Sequence, residues 1–335
     1  MKSRIGHVLG ALGALLIART AARRWRETRY DLRGRVVLIT GGSRGLGLLL
    51  AREYSRFGAR LVLVARDGDA LERACDELRA SGTDVLGISC DVTDRAQVRS
   101  MLDRALQHFG RLDVLVNDAG RIEVGPLPSM TLDDFSSAMN TNFWGAFFVI
   151  HEALHHLPEG EGRIVNISSI GGLISVPHLL PYSTSKFALT GFSLGLGLEL
   201  RKRGIRVTTV CPGLMRTGSP INASFKGDAS AEYAWFSIAD SLPLLSMSGA
   251  RAAREIVRAS RRGDSLQVLG LPAQLASLVN ALFPSLVLRS SELVTRLLPQ
   301  AEDTEAQSGR SIENKPAAWL TALGTRAAAE NNELS

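Results

Sequence analysis

The chain has 335 residues, 45% hydrophobic and 21% charged, which is enough to bury a full core and too apolar for a disordered protein. Three widely spaced cysteines, Cys75, Cys90 and Cys211, make neither a disulfide framework nor a paired metal-ligand pattern and read as reduced thiols. In residues 1–30, Lys2, Arg4, Arg19, Arg23, Arg24, Arg26 and Arg29 against Glu27 account for the whole net charge of +6, so the rest carries no basic excess for nucleic acid.

Residues 1–30 read as a basic and apolar segment that associates with a membrane. The stretch "IGHVLGALGALLIA", Ile5 to Ala18, has 14 residues without a charge between Arg4 and Arg19. A full span needs about 20 residues. The stretch therefore suits a secretory h-region, an interfacial helix or a short anchor whose arginines snorkel to the surface. A secretory signal is disfavoured: no small-x-small cleavage site follows, and Arg23 and Arg24 come after the apolar run, where a twin-arginine signal has its pair before it. Basic residues beside an apolar stretch point to anionic lipid and to the cytoplasmic face of a membrane. The alternative is a cytoplasmic protein with this helix lying frayed on its own surface.

From residue 35, short β-branched runs alternate with longer amphipathic ones. The predicted strands are "RVVLIT" (35–40), "RLVLV" (60–64), "DVLGIS" (84–89), "LDVLVN" (112–117), "GRIVNIS" (162–168), "IRVTTV" (205–210) and "LQVLG" (266–270). Helices are predicted near 45–57, 69–80, 94–108, 131–157 and 182–203. Strands apolar on both faces, alternating with helices, predict an α/β fold with a doubly wound parallel sheet of about seven strands and helices on both faces.

In such a sheet, ligands sit at the carboxyl ends of the strands where the strand order reverses, and the first strand-to-helix turn receives a phosphate. "TGGSRGLG" (40–47) occupies that turn. Gly41 turns the chain off the strand, Gly45 lets a pyrophosphate approach, and Gly47 lets the helix start close to the sheet. A tight loop without a ligand is the alternative for a glycine turn alone. The order G-x-x-x-G-x-G differs from G-x-G-x-x-G, and the missing G-K-[ST] excludes a nucleoside triphosphate loop.

At the end of the second strand, an acid would read the adenosine ribose and an arginine would accommodate a 2'-phosphate. Ala65 and Arg66 stand there, with Asp67 one step later, placed to cap the next helix. Arg66 and Arg44 are therefore expected to converge on one phosphate, which favours NADP(H) over NAD(H). Further along, Tyr182 and Lys186 are four apart and share a helix face, so a cationic amine would lie near a phenol and lower its pKa. Ser169 follows a strand that ends at the same sheet edge, with Ser168 as a supporting neighbour. His151, His155 and His156 have tempting spacing but read as a solvated helix end.

With "NDAG" at 117–120, "IVNISSIGG" at 164–172, "YSTSK" at 182–186 and "CPGLMRT" at 211–217, roughly residues 34–270 resemble the short-chain dehydrogenase/reductase family. The resemblance implies a Rossmann-type domain, a homo-oligomer, and hydride transfer between nicotinamide and a carbonyl or carbinol carbon without a metal. It makes Tyr182 the general acid/base, Ser169 the donor to the oxyanion, and Lys186 the residue that tunes the tyrosine and contacts the ribose. Asn142, in "NTNFWGAFF", would hold a water beside the lysine; Asn140 is its competitor, and the N-x-x-G spacing favours Asn142. For the cofactor it implies Gly41, Ser43, Arg44, Gly45, Leu46, Gly47 and Arg66, with Asp91 and Val92 at the adenine. Asn117, Ala119, Gly120, Tyr182, Lys186, Pro212, Gly213 and Thr217 complete that set, Thr217 at the carboxamide. "NDAG" departs from the family's commoner "NNAG", which leaves the role of Asp118 open.

Pocket walls are expected from residues 121–126, from "VPHLL" before Tyr182, and from the segment after Thr217, with Phe225, Tyr233, Trp235, Phe236 and "LPLL" (242–245). That lid suits a lipophilic ketone, aldehyde or alcohol, or else is simply packing. No charge occurs from Ser265 to Leu288, a stretch that would lie on a bilayer or over its own core. The chain thus divides into a membrane-associating segment (1–30), a catalytic domain (31–270), an apolar helical extension (271–300) and a mostly disordered tail (301–335) with a short helix. A non-catalytic dinucleotide sensor or a membrane-associated scaffold of the same fold is the rival reading.

Overall fold

A computed structural model describes residues 27–312 and 315–334. Seven strands, β1 (Val36–Thr40), β2 (Arg60–Ala65), β3 (Val85–Ser89), β4 (Val114–Asn117), β5 (Arg163–Ile167), β6 (Arg206–Pro212) and β7 (Leu266–Leu269), pair in the order β7-β6-β5-β4-β1-β2-β3. Every pairing is parallel. Strand alternation decides which face each side chain serves. Val37 and Ile39 of β1 enter one core, Val36 and Leu38 the other, and all four are fully buried. Both faces must therefore be covered.

One face is covered by α1 (Gly45–Arg56), α2 (Gly68–Ala80) and, later in the chain, Gly249–Arg262. The other is covered by α3 (Arg95–Phe109) and by helices that follow β4 and β5. The helix predicted over 131–157 is three pieces: α4 (Leu132–Met139), a π-helical turn over Asn140–Gly145, and α5 (Ala146–Ala153). The wide turn brings Asn142 inside, 1% exposed, and a Cβ on Gly145 would stand 2.8 Å from Val92 Cγ2. After α6 (Leu180–Glu199) come α7 (Ala229–Ser241), α8 (Gly249–Arg262), α9 (Leu271–Leu282), α10 (Pro284–Thr295) and α11 (Ala318–Glu330).

The expectation of a mostly disordered tail needs correcting. Ile312 is buried in a core with Phe225 and Tyr233, and α11 packs on α7 where Gly218 leaves room for Ala328. Sparse apolar periodicity misled, because this segment is held largely through hydrogen bonds. The apolar run of residues 5–18 lies outside the described residues, among which no helix is long and apolar enough to cross a membrane.

Candidate active site

The strand order reverses between β1 and β4, and a cleft of about 810 Å³ opens at their carboxyl ends. Gly41 (φ +73°) and Gly45 (φ +57°) adopt left-handed backbone that favours glycine. A Cβ on Gly47 would stand 2.1 Å from Gly41 O, so only glycine lets α1 begin this close to the turn. Arg44 is the N-cap of α1 but makes no side-chain cap bond. First-turn N–H groups are thereby left for other acceptors. Gly45 N–H donates to Asn331 O at 2.9 Å, and the Asp118 carboxylate lies against Gly47, where a Cβ would stand 3.0 Å from its Oδ2. Ser43 and Leu46 are buried beneath them.

Asp67 caps α2, accepting from Ala70 N at 3.0 Å. Arg44 and Arg66 both line this end of the cleft, yet they face different acids. Arg44 Nη2 is 3.6 Å from Asp67 Oδ2, and Arg66 Nη1 is 4.0 Å from Asp91 Oδ2. Val92, Ala119, Gly120 and Thr217 also line the cleft. Three expected contacts sit elsewhere. Asn117 is buried and donates to Asn166 Oδ1 at 2.9 Å, tying β4 to β5. Pro212 ends β6, and Gly213 allows α9 close, since a Cβ there would stand 2.9 Å from Ala273 Cβ.

Two of the expected catalytic residues, Tyr182 and Lys186, line the cleft, and Ser169 stands beside Tyr182. Ser169 lies just past β5, and its Oγ accepts from Gly171 N at 3.0 Å. Tyr182 and Lys186 project from one face of α6 into the cleft. Ser169 and Tyr182 flank Gly171, where a Cβ would stand 3.4 Å from both Ser169 Oγ and Tyr182 Cε1. Lys186 Nζ donates to Ile167 O at 2.9 Å and stands 5.7 Å from the Tyr182 ring centre. Ser168 also lines the cleft, and its Oγ donates to Lys186 O at 3.0 Å. Asn142 Nδ2 donates to Arg121 O (3.0 Å) and Ser185 Oγ (2.8 Å), and its Oδ1 accepts from Arg121 N (2.8 Å). A Cβ on Gly120 would be 3.2 Å from Asn142 Oδ1 and 3.7 Å from Lys186 Nζ, so this glycine lets the two approach.

Burial pushes the Tyr182 phenol up to about 12, and the neighbouring Ser169 pulls it back down. The lysine amine is turned to Ile167 O, and burial pushes Lys186 itself down to about 8, opposed by Asp118. Asp118 is in turn pushed up to about 7 by burial, with Lys186 and the Gly47 N–H pulling it down. The variant residue of "NDAG" thus joins the start of α1 to the lysine.

The expected lid also differs. Phe225, Tyr233 and Phe236 are buried with Leu179 in their own core rather than in the cleft wall, while Leu244 is 90% exposed. Of the expected walls, the cleft lining takes Arg121 and Ile122 from 121–126 and Ala223 from the segment after Thr217, joined by Met215. His151, His155 and His156 are exposed, and among the described residues no group of three His, Cys, Asp or Glu could hold a metal. Sequence reasoning missed Thr40, whose Oγ1 accepts from Asp118 N and Ala119 N at 3.2 Å, and it missed Ser185. It also missed Asn222 and Glu333 at the cleft wall. Only Ser185 carried a signal, three residues after Tyr182.

A family model described as short chain dehydrogenase matches residues 35–226. The granaticin polyketide synthase putative ketoacyl reductase 1 of Streptomyces violaceoruber is 42% identical over 185 residues, 54% of this chain and 68% of that one. The 11-beta-hydroxysteroid dehydrogenase-like 2 of Arabidopsis thaliana is 35% identical over 70% of this chain and 73% of its own. Among solved structures, an actinorhodin polyketide ketoreductase with NADPH superposes with a TM-score of 0.60 at 30% identity, covering 71% of this chain and 95% of that one.

Proposed function

The chain belongs to the short-chain dehydrogenase family, and from that premise we propose that it is an NADP(H)-dependent oxidoreductase acting on the carbonyl or hydroxyl carbon of a lipophilic substrate. The observation that carries the reading is Tyr182 and Lys186 together in the cleft lining, Nζ 5.7 Å from the phenol ring centre, with Ser169 flanking Tyr182 across Gly171. When bound, the nicotinamide supplies or accepts the hydride. Ser169 donates to the substrate oxygen as charge builds there, and Tyr182 gives that oxygen its proton in reduction or takes it in oxidation. Lys186, close to neutrality at about 8, keeps a positive charge or a mobile proton beside the phenol. Asn142 fixes the loop after β4 against α6 through Arg121 and Ser185.

The dinucleotide fits the glycine turn on this chain's own geometry. A cradle that a Cβ at Gly47 would fill, an uncapped helix start and the Arg44 guanidinium all favour an anion. The preference for NADP rests on Arg66 just past the end of β2, where the strand itself ends in Ala65 rather than an acid, and on Asp67 being used as a helix cap. Ile122, Met215 and Ala223 support a lipophilic substrate. Contact with a membrane surface is supported by the exposed side chains of Leu275, Leu278, Leu282, Phe283 and Leu286 on α9 and α10. A homo-oligomer is supported by exposed Trp144, Phe187 and Leu198.

Titrating the protein with NADPH and NADH, then offering a carbonyl panel graded in chain length, tests this reading. NADPH should bind at least about tenfold tighter, the size of one charge-assisted contact, and kcat/KM should rise with chain length. Preference for NADH would remove the Arg44 and Arg66 argument; uniform activity on short polar carbonyls would remove the lipophilic pocket.

A further inference from the structure

The segment after α11 turns back onto the glycine-rich turn. Asn331 O accepts the Gly45 N–H at 2.9 Å, and Asn332 Nδ2 donates to Ser43 O and Ala70 O, each at 2.9 Å. Asn332 has a φ of +59°, a left-handed conformation that asparagine tolerates better than most residues. Glu333 is 4% exposed and lines the cleft, with its Oε1 2.5 Å from where a Cβ on Gly45 would stand.

The seat is built from side chains distant in sequence. Arg52 donates to Glu330 O (2.9 Å) and Asn331 Oδ1 (3.1 Å), Asn331 Nδ2 donates to Thr217 O (3.2 Å), and Asn222 donates to the Glu333 carboxylate. Gly218 allows α11 close behind, since a Cβ there would stand 2.4 Å from Ala328 Cα.

We propose that the glycine-rich turn takes two mutually exclusive ligands, the pyrophosphate of the dinucleotide and the chain's own Asn331–Glu333 segment, so that the cofactor must displace the segment to bind. This rests on the reading that the turn receives a dinucleotide. The Gly45 N–H that an incoming phosphate would use already has an acceptor, and a carboxylate and a pyrophosphate at one helix start repel each other. The Glu333 carboxyl, pushed up to about 7 by burial with Arg44 pulling it down, carries less charge than a phosphate would bring. The segment is therefore a displaceable stand-in. The apparent Kd for cofactor is then the intrinsic value divided by the fraction of molecules with the segment released.

The test measures the Kd for NADPH and NADH on the full chain, on a chain lacking residues 331–334, and on Asn332→Ala, which removes the anchoring bonds to Ser43 O and Ala70 O together with the one from Arg73 Nε, and leaves the cleft lining intact. Competition predicts a Kd about tenfold lower in the deletion, if the segment is seated about nine-tenths of the time, and a smaller gain in Asn332→Ala. It also predicts faster amide hydrogen exchange over residues 318–334 of the full chain when cofactor is added. An unchanged Kd in both variants overturns the competition while leaving the dinucleotide reading intact. A weaker Kd makes the segment a strap that holds cofactor, which overturns it as well. If no form of the chain binds either dinucleotide, both readings fall together.

Discussion

Asp118 lies against Gly47 at the start of α1 and acts electrostatically on Lys186, so one carboxylate bears on both the glycine turn and the proposed proton-handling groups. Its pKa is raised to about 7, so it is neutral below that pH and charged above it. Once charged, it supports the Lys186 ammonium and holds the Tyr182 proton more firmly. The pH profile of kcat/KM is therefore expected to bend near 7 in the native chain. In Asp118→Asn that bend disappears, and the Lys186 limb moves below about 8 because its supporting anion is gone. Rate profiles of the two proteins over the same buffers decide it; superimposable profiles would free the carboxylate of any such part. The proposed catalytic residues were legible through the family resemblance of "YSTSK" and "IVNISSIGG", since a Tyr and a Lys one helical turn apart would by themselves pass for surface residues. The direction of the tyrosine's shift was not, because it depends on burial.

Among elements, α7 is tied to the loop that precedes Tyr182. His178 stands at a φ of +61°, strained for a non-glycine residue, and is held there by Glu232, whose Oε1 lies 2.6 Å from His178 Nδ1 while Oε2 accepts from Trp235 Nε1 at 2.6 Å. Both His178 and Glu232 are buried. Glu232→Ala would leave two buried polar groups without this acceptor, each costing about 1–3 kcal/mol. The melting temperature should fall by several degrees, and KM for the carbonyl should rise more than kcat falls, because the contact steadies the loop before Tyr182 from outside the cleft and touches no reacting atom. Glu232→Gln should restore part of both. A melting change with KM untouched would make the contact purely structural. The seven strands were legible from β-branched runs; the π-turn at Asn140–Gly145 was not, since an extra residue in a helical turn leaves the apolar pattern almost unchanged.

For the molecule as a whole, the reversal of strand order between β1 and β4 decides where chemistry can occur, and residues from the glycine turn to Thr217 meet at that one edge. This convergence was readable in advance because a parallel sheet sends every strand's carboxyl end to the same side. What the sequence hid was contact across long separations: Asn331 and Glu333 look like polar tail residues until Arg52, Asn222 and Thr217 are seen to seat them. The central claim is that Tyr182 moves the proton while hydride moves between cofactor and carbon. It is tested most directly by single-turnover oxidation of NADPH with a reducible carbonyl in the native chain and in Tyr182→Phe, alongside the Kd for NADPH in each. The account predicts a rate lower by about 10²–10⁴-fold in Tyr182→Phe with an unchanged Kd; a rate within a few-fold of native would contradict it.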